Sequence, residues 1–121
     1  HASGIGKALL AFMDNDRFAR WLRARTLDAF TAHTLVTPAA LTDELIRTRD
    51  RGYAIDAEEK NIGMRCIAAP VFDMSGEAVA GISVSGPSTR MGADRTDHFS
   101  RAVVQAAADL TLAIGGQRRT T

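Results

Sequence analysis

At 121 residues, with 45% apolar and 24% charged side chains, the chain has the size and composition of one globular domain or a fragment of one. Fifteen basic residues against fourteen acidic ones leave a net charge of +1, which excludes a global field able to recruit nucleic acid or anionic lipid. The lone cysteine, Cys66, excludes an intrachain disulfide and fits a reducing, cytoplasmic setting, and no apolar run approaches the roughly 20 residues needed to cross a bilayer.

The first element is a helix from Gly4 to Met13, with Ala8, Leu9 and Phe12 at helical spacing. Ser3 and two glycines stand at its start, a pattern for a tight entry or for a helix end that faces a ligand. Asp14 caps a second helix whose stripe is Phe18, Trp21 and Leu22, read as core or interface anchors. Residues 26–36 are irregular and read as a connector. Thr37-Pro38 then opens a third helix, with Leu41, Leu45 and Thr48 facing inward and Arg47, Arg49 and Arg51 loading its end with the charge that suits the helix dipole. Gly52 is the expected stop.

A short strand follows over 53–56, then a polar loop over 57–63. Two strands over 64–73 and 78–85 form a hairpin that Gly86-Pro87 ends. The last helix starts near Ala93-Asp94 and carries Phe99, Val103, Ala106, Leu110 and Ala113 on one stripe before Gly115-Gly116 stops it. That Ala-rich stripe would also allow close packing against a partner subunit. The chain opens at His1 without an initiator Met or a leader, so it reads as a piece of a longer protein, and 117–121 reads as a flexible tail. Helices around an antiparallel sheet make an α+β fold.

The hairpin raises the functional question. A loop of Met74-Ser75-Gly76-Glu77 pairs Asp73 with Ala78, which puts Cys66 opposite Ser85 and Ala68 opposite Ser83. One face is then small and weakly polar, while the other carries Ile67, Val71, Ala80, Ile82 and Val84. Small residues let a helix pack closely; hydroxyls on a buried face ask for partners, at roughly 1–3 kcal/mol each if left unpaired. Both explanations stay open at this point.

Three segments, "HASGIGKALLAF", "RGYAIDAEEKNIGMRCIAAPVFD" and "AVAGISVSGPSTRM", resemble in order and spacing the effector-binding domain of IclR-type bacterial transcriptional regulators. The resemblance runs from His1 to about Gly116, the span read as the domain. It implies a GAF-like antiparallel sheet flanked by helices, with a pocket for a small organic or aromatic acid. The domain's N-terminal strands would be absent here, and DNA would be reached only through a winged helix-turn-helix outside this chain. By the same resemblance the effector-binding residues are Gly4, Ile5, Asp56, Met64, Cys66, Ser83 and Ser85. Asp56 would repel an acid directly, so it meets a ligand hydroxyl or orders a neighbouring loop. Self-association as a dimer or tetramer is implied too. The alternative is an oligomerisation module with a vestigial pocket.

Other chemistry finds little support. His1, His33 and His98 have nothing that brings them to the Cys66 thiol or spaces them as metal ligands, so neither a catalytic residue, a metal nor a cofactor is expected. Gly4-x-Gly6-Lys7 lacks the spacing of a phosphate loop. Glu58 and Glu59 read as a solvated turn.

Overall fold

The computed structural model describes residues 1–117. The tail expected over 117–121 therefore lies, past Gln117, outside the described residues. In chain order the elements are helices α1 (Gly4–Ala11), α2 (Asn15–Arg23) and α3 (Pro38–Arg51), strands β1 (Ala54–Ala57), β2 (Met64–Phe72) and β3 (Ala78–Pro87), a 3-10 turn at Ala93–Arg95, and helix α4 (Thr96–Ala113). The α+β architecture expected from the sequence is the one observed.

Local chemistry sets the helix starts. Through their side chains Ser3, Asp14 and Thr37 accept the backbone N–H of Gly6, Arg17 and Ala40, the third residue of α1, α2 and α3 respectively. Pro38 occupies the first turn of α3, and Gly52 ends it with φ 89°, a left-handed conformation open to a residue without Cβ. Leu41, Leu45 and Thr48 are its buried positions, as the spacing predicts.

The three strands pair antiparallel in the order β1-β2-β3. The faces differ in what covers them. On one, α1 lays Ile5 and Ala8 against Ala54 and Ala68. On the other, α4 lays Val103 and Ala107 against Ala69 and Val71, with Tyr53, Ile82 and Val84 at the margin. A second layer of Leu10, Ala11, Leu41 and Leu45 joins α1 to α3, and Phe18, Trp21 and Leu22 of α2 close over it from outside, partly buried.

Four expectations are corrected. The hairpin loop is tighter than expected: Asp73 N–H donates to Glu77 O at 2.9 Å and Phe72, not Asp73, faces Ala78. A one-residue bulge between Val71 and Phe72 then restores the expected register, so Cys66 faces Ser85 and Ala68 faces Ser83. Second, β3 runs through Gly86 to Pro87 rather than stopping before them. Third, β3 is an edge strand, so Ala80 is exposed rather than core. Fourth, the inward stripe of α4 is Ser100, Val103, Ala107 and Thr111; Ala106, Leu110 and Ala113 face outward. Thr111 wins its place by a hydrogen bond: its Oγ1 accepts the Phe72 N–H at 3.1 Å, beside the bulge.

Candidate effector pocket

Strand pairing builds the site one cross-strand row at a time. Asp56 of β1, Cys66 of β2 and Ser85 of β3 form one row; Ala54, Ala68 and Ser83 form a second. Adjacent strands lie about 4.8 Å apart, so each row spans roughly 10 Å. Side chains in a row share a face. Over the Ala68 end of this face sits α1, and the approach is close: a Cβ on Gly4 would stand 2.8 Å from Cys66 Sγ, and one on Gly81 would stand 3.0 Å from Ile5 Cγ2. Helix packing therefore explains the small residues at one end. Towards Met64 the helix has ended, and the face opens into a cavity of about 320 Å³.

All seven candidate residues line that cavity: Gly4 and Ile5 from the start of α1, Asp56 from β1, Met64 and Cys66 from β2, and Ser83 and Ser85 from β3. Ser3, Lys60, Asn61 and Arg65 complete it. One premise changes. Ser83 and Ser85 are exposed, so they are hydroxyls at an open rim rather than buried groups demanding partners. No protein hydrogen bond engages either among the described residues, which leaves both free to meet an incoming molecule.

Asp56 behaves as a loop organiser. It is 7% exposed, and its Oδ1 accepts the backbone N–H of Glu59 at 2.8 Å and of Lys60 at 3.3 Å. At α1 the side chain of Ser3 takes the N–H of Gly6 at 3.0 Å. The first N–H groups of a helix have no partner within it, so those of Gly4 and Ile5 point a positive end toward the cavity.

Two residues behind the site escaped the sequence reading. Lys7, dismissed with the phosphate-loop pattern, is fully buried, and Glu59, read as solvated, is 6% exposed. They form an ion pair at 2.7 Å, and Lys7 Nζ also donates to Ile55 O. The Ala57 N–H donates to Glu59 Oε2 at 3.2 Å. The only sequence signal was a lysine on the apolar side of an otherwise buried helix. The connector is anchored too: Thr31 Oγ1 donates to Glu58 O at 2.6 Å and Thr34 Oγ1 donates to Glu59 O.

A larger groove of about 400 Å³ lies on the α4 side between Phe12, Phe72, Val104 and Leu112. Its walls are almost wholly hydrocarbon, and it offers little that would orient a polar ligand. His33 and His98 are exposed and do not line the cavity that holds Cys66, and His1 Nε2 is hydrogen-bonded to Asp28 O at 2.9 Å. No group of three or more His, Cys, Asp or Glu gathers in metal-binding geometry among the described residues. None of their helices is long and apolar enough to cross a membrane.

The family model described as "Bacterial transcriptional regulator IclR C-terminal" matches residues 1–112. The chain is 52% identical over 118 residues to the HTH-type transcriptional regulator BhcR of Paracoccus denitrificans, covering 98% of this chain and 42% of that protein. It is 46% identical over 118 residues to the transcriptional repressor IclR of Escherichia coli, covering 98% of this chain and 43% of that protein. The chain thus spans about two fifths of the length of these relatives. Among solved structures, Thermotoga maritima IclR superposes with a TM-score of 0.91 at 32% identity, over 94% of this chain and 46% of that one. Residues 1–112 of this chain are therefore the C-terminal domain of the IclR family of bacterial transcriptional regulators, to which the protein belongs.

Proposed function

We infer that this domain senses a small organic or aromatic acid, and that occupancy of the cavity alters subunit arrangement and hence the operator affinity of a winged helix-turn-helix joined to it in a cytoplasmic regulator. The observation that carries this reading is the convergence of Gly4, Ile5, Asp56, Met64, Cys66, Ser83 and Ser85 on one cavity of about 320 Å³. Its donors suit a carboxylate: two serine hydroxyls, two helix-start N–H groups and a lysine, against one carboxylate whose Oδ1 already serves the loop. The apolar flank of Ile5, Met64 and the Cys66 thiol suits the body of the same molecule.

The test is a thermal-shift screen of small monocarboxylates, 2-oxo acids and aromatic acids. Binding to the native state alone raises the melting temperature, by about 2.7 kcal/mol of stabilisation at a ligand concentration 100 times its Kd. A flat response to every acid would favour the second reading, an assembly module with a vestigial pocket. That reading draws on Leu110, Leu112, Ile114 and Met74, which are 41%, 76%, 49% and 72% exposed.

A further inference from the structure

We propose that Lys60 is the residue by which the cavity selects anions, and that Phe30 holds its ammonium in reserve at the rim until a carboxylate draws it in. The assignment rests on reading the cavity as a ligand site and adds the residue that gives it charge selectivity. Lys60 lines the cavity. Its backbone is pinned beside the Asp56–Cys66–Ser85 row by the N–H donated to Asp56 Oδ1. Its ammonium rests 3.9 Å from the centroid of the Phe30 ring, which the connector presents half exposed.

Charge and exposure together single Lys60 out. The deeper cation, Lys7, is spent on both oxygens of Glu59. No carboxylate lies within ion-pair distance of Lys60 among the described residues. Arg65 also borders the cavity and has no carboxylate within ion-pair distance among the described residues, but it is half-buried, with its Nε enclosed and without a hydrogen-bond partner, and it stands one residue out of phase with Cys66. Lys60 is thus the exposed cation of the two, with a flexible stem at the opening. An exposed cation–π contact is weaker than a charge-assisted hydrogen bond to a carboxylate in a partly desolvated cavity. An acid therefore wins the ammonium from Phe30, whereas a neutral molecule of the same shape leaves it there.

The experiment titrates the 121-residue chain with acetate, butyrate and benzoate, and separately with the three matching carboxamides. Nuclear magnetic resonance follows the amides of Gly4, Ser83 and Ser85, the Lys60 Cε and the Phe30 ring, in the parent chain and in Lys60→Met and Lys60→Arg. The expected result is an acid that shifts the pocket amides together with Lys60 and Phe30. Its Kd rises about tenfold in Lys60→Met and recovers to within about threefold in Lys60→Arg, and no carboxamide distinguishes the three proteins. An acid that shifts the pocket amides with the same Kd in Lys60→Met overturns the assignment and leaves the pocket standing. If no acid shifts those amides, the pocket reading fails and the Lys60 assignment falls with it.

Discussion

Lys7 and Glu59 stand 52 residues apart in sequence and meet in the interior, with the ammonium 2.7 Å and 2.9 Å from the two carboxylate oxygens. The pair fastens α1, which brings Gly4 and Ile5 to the cavity, to the loop that brings Lys60. Removing one partner strands the other charge in a dry site. Lys7→Met is expected to cost about 3–5 kcal/mol, measured by urea unfolding. Replacing both residues with apolar ones of similar volume should recover most of that loss, since the desolvation cost vanishes with the charges.

Thr111 of α4 supplies the acceptor for a β2 amide that β1 is too short to reach. Thr111→Val keeps the shape and leaves the buried Phe72 N–H without its acceptor, for an expected loss of about 1–3 kcal/mol in urea unfolding. Thr111→Ser should restore much of the stability. A Val variant as stable as the parent would show that the hydroxyl contributes nothing there.

Gly4 carries a steric constraint that the sequence could only hint at. Gly4→Ala places a methyl 2.8 Å from Cys66 Sγ and 3.2 Å from Ala68 Cβ, so the Cys66 side chain or α1 itself must shift, at about 1–3 kcal/mol. Adding Cys66→Ala removes the sulfur and leaves the smaller conflict. A double-mutant cycle by thermal unfolding should therefore show the second substitution costing less, or helping, in the Gly4→Ala background.

Ser83 and Ser85 act on ligand rather than on fold. Because both are exposed, Ser83→Ala with Ser85→Ala should stay within about 0.5 kcal/mol of parental stability without ligand. The same double variant should lose the thermal shift produced by whichever acid stabilises the parent chain. A shift that survives would place the ligand elsewhere.

Glu44 predicts an acid-sensitive contribution to stability. Burial alone would raise its pKa, but hydrogen bonds and charge from Arg51 and Arg47 outweigh burial and hold the carboxyl below its ordinary value of 4.5. A pKa lower in the folded state means that the pair stabilises above the ordinary value and that this contribution fades as pH falls through the folded one. The melting-temperature difference between parent and Glu44→Gln should thus be largest near pH 7 and shrink below about pH 4.5. A difference that is flat from pH 7 to 3 would contradict it.

The sequence by itself determined what acts over a few residues. Ser3, Asp14 and Thr37 start helices because a short polar side chain reaches a free N–H of the first turn, and Gly52 ends one because it tolerates positive φ. The pairing of Cys66 with Ser85 came from an assumed four-residue loop, and it stands because the tighter loop and the bulge offset one another. With the family resemblance, that was enough to name seven residues around one cavity. Tertiary structure decided what depends on partners distant along the chain. Glu59 could not be told from its solvated neighbours until Lys7 arrived from the first helix. The α4 stripe turned on Thr111 because β1 pairs with β2 only as far as Ala68, and the Phe72 N–H beyond it takes the Thr111 hydroxyl as its acceptor. Ser83 and Ser85 are open to solvent because β3 lies at the sheet's edge, a matter of strand order that alternation along a single strand does not encode.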